Sequence, residues 1–151
     1  MKILILKATL LLCILTPVTA SAQTTAAKPK LFSSFPDKII CSEQELGKVF
    51  SASVDQNLGL SFSDNFSFSG TVTSNVVKYS NLQTAIIRSA AFDGAILVLS
   101  KVKDENGSIS YVGRIINTKY FDGYELQKDA ANNYQFIKIE TDKVIQVCSK
   151  N

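Results

Sequence analysis

The 151-residue chain contains no histidine. That removes His-based triads, Cys–His dyads and the commonest zinc ligand in one stroke. No glycine-rich phosphate loop, nucleophile elbow or metalloprotease helix motif occurs either. Chemistry that needs only carboxylates, or serine with lysine, survives. A carboxylate pair can hydrolyse a glycosidic bond, but Asp64, Asp93, Asp104, Asp122 and Asp142 all sit where turns are expected. An aspartate there bonds its own backbone and tolerates positive φ. The runs "DENG" and "DAANN" do not match a calcium-loop spacing. The pattern predicts no cofactor, no metal site and no enzymatic activity.

Residues suited to binding are easier to find. In "KYFDGYEL" (119–126), Tyr120 and Phe121 precede a tight turn expected at Asp122-Gly123, and Tyr124 follows it. Neighbouring strand side chains alternate faces, so at least one ring is expected outside, where a rigid aromatic makes a good interface anchor. A second set is Arg88, Lys101, Lys103 and Arg114, read as a basic row that could meet an anionic ligand or serve as a solvated face. The absence of tryptophan weakens a carbohydrate platform. Asn65-Phe66-Ser67 and Asn106-Gly107-Ser108 fit the glycosylation acceptor pattern, which matters only in a eukaryotic secretory route.

The compartment follows from the first residues. "MKILILKATLLLCILTPVTASA" has Lys2 and Lys7, an apolar stretch from Ala8 to Leu15, and small residues at Ala20-Ser21-Ala22. The stretch is short of the roughly 20 residues a membrane span needs, and the whole reads as a cleaved secretory signal, residues 1–22. Lipid anchoring at Cys13 is a weaker alternative, because leucines rather than small residues precede it. Removing the signal also removes two lysines from a chain of net charge +3. The remainder is nearly neutral, and nucleic-acid binding by a basic surface is not expected. In an oxidising compartment the remaining cysteines, Cys41 and Cys148, predict a disulfide. Its long loop would contribute ~4–5 kcal/mol in the loop-entropy model.

These groups need a scaffold. Residues 23–30, "QTTAAKPK", read as a disordered leader. A single globular domain is expected over 31–151. Ser42 and Glu45 form a capping-box pattern at the start of a helix over about 43–55, with Leu46, Val49, Phe50, Ser53 and Val54 on one stripe. From Leu58 onward the apolar period becomes two, and turn signals recur at Asp64-Asn65, Ser80-Asn81, Asp93-Gly94, Asn106-Gly107, Asp122-Gly123 and Asn132-Asn133. If Asp93-Gly94 and Asn106-Gly107 centre two-residue hairpin turns, Ser89 opposes Val98, and Val98 opposes Ile115. One face then carries Ile87, Ile96, Val98, Val102 and Ile115; the other carries Leu97, Leu99 and the basic row.

The fold class predicted is α+β: one N-terminal helix packed on a coiled antiparallel β-meander of six to eight strands, with a small closed β-barrel as the alternative. The function predicted is a secreted or periplasmic binding module that presents an aromatic hairpin tip, Tyr120, Phe121 and Tyr124, to another protein. A ligand carrier or cell-envelope component is the alternative, and a minimal carboxylate hydrolase is a third reading. After removal of the signal no membrane span is expected. The sequence does not set the oligomeric state.

Overall fold

The computed structural model describes residues 27–143. The signal-like segment 1–22 and Cys148 lie outside the described residues. Eight antiparallel strands follow one another in a single sheet: β1 (Lys38–Cys41), β2 (Asn57–Ser63), β3 (Phe66–Tyr79), β4 (Leu82–Arg88), β5 (Ile96–Lys103), β6 (Ile109–Ile116), β7 (Asp122–Lys128) and β8 (Tyr134–Glu140). Their order, β1-β8-β7-β6-β5-β4-β3-β2, brings the sheet round on itself, with β1 beside β2 but not laddered to it. Over the described residues the result is a nearly closed barrel, with a short helix, α1 (Glu43–Ser51), between β1 and β2.

Helix α1 begins as the capping pattern predicts. Ser42 Oγ accepts from the Glu45 amide at 3.2 Å. Glu45 does not complete the reciprocal box: its carboxylate pairs with Lys48 and accepts from the Ser61 amide at 3.2 Å, on the free edge of β2. These bonds, Lys48's first, hold Glu45 below the usual carboxylate range. Leu46, Val49 and Phe50 are buried, so the stripe faces the barrel. The helix stops at Ser51, earlier than expected, and Val54 is exposed. Its last carbonyls are taken by strand side chains. Asn75 Nδ2 donates to Ala52 O at 2.8 Å and Phe50 O at 3.2 Å, while Gln83 Nε2 donates to Phe50 O at 3.2 Å.

The far end of the barrel is plugged by the segment before β1. Phe32 is fully buried, with Tyr124, Phe92 and Phe66 ring centroids 5.2, 5.3 and 6.3 Å away. The strap is fastened by polar groups of the sheet. The buried Asp122 carboxylate accepts from the amides of Leu31 (2.6 Å) and Phe32 (2.9 Å). Tyr124 Oη donates to Pro36 O at 2.7 Å, and Lys138 Nζ donates to Phe35 O at 2.7 Å. Order begins before Leu31, within the expected leader: Lys28 pairs with Asp142, and Pro29 O accepts from the Phe121 amide.

Two hairpins differ from the expected geometry, and the difference sets which residues face the core. The β5–β6 connection is a three-residue loop, Glu105–Gly107, closed by Asp104 and Ser108, with Gly107 at φ +83°. A left-handed third residue of this kind produces a bulge and moves the register by one. The β4–β5 loop runs over Ala90–Gly94, closed by Ser89 and Ala95. In consequence Leu97, not Val98, opposes Ile115, and Val98 opposes Ile86 instead of Ser89. A one-residue slip exchanges faces along a strand. Leu97 and Leu99 are therefore core, while Ile96, Val98 and Val102 turn outward beside Ile86, Val112 and Ile116.

Cys41 is a free, buried thiol, and no disulfide is present among the described residues. Its side chain belongs to the core cluster, and burial pushes the thiol up to about 12. The expected partner, Cys148, is outside the described residues, so the predicted bridge is not observed.

Candidate functional site

The expected aromatic tip is not a tip. Asp122-Gly123 opens strand β7 instead of forming a turn. Gly123 is required there by close packing: a Cβ would lie 2.5 Å from Ile115 O. Tyr124 is wholly buried under the strap, which, through desolvation first, raises its phenol far above the usual range. Tyr120 is half-buried and donates to Asp93 Oδ2 at 3.2 Å, a bond that raises its phenol pKa. Phe121 is half-buried against the strap side of β8. The three rings share no common exposed surface: Tyr124 points inward from β7, while Tyr120 and Phe121 precede that strand, the first turned to Asp93 and the second to the recess beside β8.

The basic row is likewise divided. Register places Arg88 and Arg114 on the outer face, and Lys101 and Lys103 on the opposite phase. Arg114 is paired with Glu125, bonding through Nε at 2.9 Å and Nη2 at 2.7 Å. Although burial opposes it, this bonding, helped by Gln127, keeps Glu125 below its usual range. Lys101 lies over the Phe50 ring, 5.2 Å from its centroid.

An exposed apolar cluster does exist, on a different hairpin. β3 is twice the length of β2, and its ladder with β2 ends at Thr71–Asn57. Residues 73–79 therefore run on with one edge unpaired by β2, laddered only to β4, and turn at Ser80-Asn81. Here Tyr79 is 68% exposed, Val77 66%, Val76 49%, and Ile109 of the adjoining β6 end 46%. Among the described residues, three of the seven exposed large hydrophobics, Val77, Tyr79 and Ile109, thus gather at one corner, while Val76 points to the opposite face. A recess of about 210 Å³ lies among them, lined by Val77, Tyr79, Leu82, Gln83, Ile109 and by Lys101 and Lys103. Two of the predicted basic residues thus flank the apolar cluster, from the inner phase of β5.

Sequence reading missed this corner because Val76, Val77 and Tyr79 resemble any half-buried strand. The usable signal was length: fourteen residues of strand pattern beside a seven-residue partner must overhang. The corner is rigid where it leaves the barrel. Asn75 and Gln83 bond each other at 2.9 Å and both hold the end of α1.

Other polar sites are already engaged. A recess of about 460 Å³ beside β1 and β8 is lined by Asp37, Asp122 and Glu140. Asp122 holds the strap amides, Asp37 pairs with Lys138 at 2.9 Å, and Glu140 pairs with Lys143. No three acidic or cysteine side chains converge as a metal site among the described residues. No helix among them is long and apolar enough to cross a membrane. The barrel interior around Ile87 and Ile115 is filled by Phe32, Phe66, Phe68 and their neighbours rather than left open for a ligand. The chain matches no protein-family model, no curated protein and no solved structure.

Proposed function

We propose that the protein is an exported, non-enzymatic binding module whose recognition element is the β3–β4 hairpin corner. The observation that carries this reading is the concentration of Val77 and Tyr79 on a braced hairpin with Ile109 of β6 beside them, all strongly exposed. An exposed tyrosine on a rigid element anchors well, because little side-chain freedom is lost on contact. Lys78 on the hairpin and Lys101 and Lys103 beside it favour a protein partner that is apolar at the centre of contact and acidic at its rim. The signal-like residues 1–22 support action outside the cytoplasm.

The test compares two sets of variants in capture from the secreted and envelope fraction. Val77→Ser with Tyr79→Ser should weaken capture of a specific partner by about 30-fold or more, the loss of a hot spot of ~2 kcal/mol. Tyr120→Ser with Phe121→Ser should leave that capture unchanged. Equal capture by both sets removes the corner from consideration.

A further inference from the structure

We infer that the partner meets the hairpin corner as an extended strand, laid along the free edge of β3 beside residues 75–79, and that this segment is apolar with a carboxylate that meets Lys78. The inference rests on the corner being the recognition element and adds how the partner is held. The backbone carries it. Along β4, the Lys103 amide donates to Asn81 O and the Ser89 amide to Ala95 O, so the odd-numbered residues between them turn their N–H and C=O groups toward β5. Ile86, Thr84 and Leu82 therefore turn theirs toward β3, to Ser74, Val76 and Tyr79. Asn75 and Val77 are left facing away from β4, past the point where the β2 ladder stops. Just before them that side is in use: Val72 donates to Gln56 O at 2.9 Å and accepts from the Asp55 amide at 2.8 Å. Among the described residues no turn, loop or helix backbone reaches the amide or carbonyl of Asn75 or Val77.

This chemistry selects the occupant. A row of N–H and C=O groups at strand spacing is matched in full by another extended backbone, and a purely apolar surface leaves it unpaired. Main-chain bonds then hold the added strand, while its alternate side chains are read by the pockets beside it. One such pocket is present, because the recess of Val77, Tyr79, Leu82 and Ile109 begins at this edge. An apolar side chain opposite Val77 shares its face and so meets that recess. Lys78 lies on the edge itself, and Lys101 and Lys103 line the recess. None of the three enters an ion pair among the described residues. Asp104 and Glu105 belong to the β5–β6 loop, two strands away from the edge, and Asp104 is bonded to the Ser108 amide at 2.8 Å. An acid on the added strand therefore finds Lys78 uncompensated.

Lys78 also decides against a second copy of this chain. Two such edges paired about a two-fold axis at Val77 set each Lys78 opposite Val76 of the other copy, so the two lysines become diagonal neighbours and repel. A lysine on an edge strand is a common device against such pairing. Register shifts at Val72/Ser74 and Val77/Tyr79 shorten the regular edge further. Residues 75–79 at ~3.3 Å each span about 17 Å, room for a segment of about five residues.

The test uses end-capped peptides of about seven residues, alternating valine and threonine, each with a single glutamate moved through the central positions. They are titrated into the purified protein and followed by amide NMR. At least one should bind with a dissociation constant below about 1 mM. Saturation should slow exchange of the Asn75 and Val77 amides about tenfold or more, and leave Ser74 and Val76, already laddered to β4, nearly unchanged. N-methylation of the bound peptide's central amide should weaken binding about tenfold, because it deletes a donor without altering a side chain. Lysine in place of the glutamate should weaken it severalfold, and less so at high salt. Val77→Pro, which removes an edge-facing N–H and no bond to β4, should weaken binding well beyond Val77→Ala while keeping the melting temperature. The inference is overturned if no peptide binds, if the N-methylated peptide binds as well as its parent, or if exchange at Val77 is unmoved at saturation. Slowing at Val77 that grows with protein concentration alone would assign the edge to a second copy and equally overturn it. Loss of partner capture in Val77→Ser with Tyr79→Ser, without any strand binding, would keep the corner as the site and remove only the strand mode, so the two readings fail separately.

Discussion

Asp122→Ala should destabilise the protein by about 3–5 kcal/mol, a large share of the roughly 5–15 kcal/mol typical of a folded domain. The magnitude comes from two bonds. The carboxylate, itself only 3% exposed, accepts from the amides of Leu31 at 2.6 Å and Phe32 at 2.9 Å. Alanine strands both donors beneath the strap, at ~1–3 kcal/mol each. It also loosens Phe32, whose ring fills the end of the barrel. Asp122→Asn should rescue little, because an amide group can turn only one oxygen toward two donors and brings N–H groups of its own. The control is Asp142→Ala. It removes the 2.7 Å pair with Lys28, whose partners are both more than a third exposed, and should cost no more than ~1 kcal/mol. Guanidinium denaturation reads the difference as a lowered midpoint, roughly 1 M or more at a slope of ~3 kcal/mol per molar, with the slope unchanged. If Asp122→Ala lies within 1 kcal/mol of Asp142→Ala, the strap is not held by that carboxylate and the account of the plug is wrong.

Two further outcomes follow from buried groups. Cys41 should resist thiol reagents in the native protein and react on unfolding. Its thiol titrates at 9.0 when unperturbed and near 12 when folded, so above pH 9 the unfolded chain releases a proton that the folded chain keeps. Stability should then fall by up to about 1.4 kcal/mol per pH unit from this thiol until it titrates in the folded state, and Cys41→Ala should remove the fall that begins near pH 9 while leaving the one that the raised Tyr124 phenol adds above pH 10; a Cys41 that stays unreactive even in guanidinium would mean it is bridged after all. Asn75→Ala should release the carbonyls of Phe50 and Ala52. Hydrogen exchange in the last turn of α1 should quicken, at a global cost of ~1–2 kcal/mol, and unchanged exchange there would show the cap to be dispensable.

How much of this was legible beforehand depended on the range of the interaction. The capped start of α1, its stripe of Leu46, Val49 and Phe50, and the antiparallel meander all follow from periodicities of a few residues. The faces of β5 and β6 did not. Asn106-Gly107 is compatible with a two-residue turn and with a three-residue loop whose last member is left-handed, and only the second is realised. Asn132, at φ +65°, closes the β7–β8 hairpin in the same way. One extra residue in the β5–β6 loop and three in the β4–β5 loop together put Leu97 and Leu99 inward and Val98 outward. Tyr124 was misplaced for a different reason. Asp122-Gly123 reads locally as a turn, but a carboxylate and a missing Cβ also suit a strand that must receive the strap and pack where a Cβ would meet the Ile115 carbonyl at 2.5 Å. The strap amides, about ninety residues away in sequence, leave no local trace.

The filled interior constrains where function can lie. An eight-stranded barrel is just wide enough for side chains to close it, and here Phe32, Phe66, Phe68, Tyr124 and Phe136 occupy that width while α1 and the strap seal the ends. A carrier role would need that interior open, so the proposed recognition at the β3–β4 corner draws on the surface of the barrel instead.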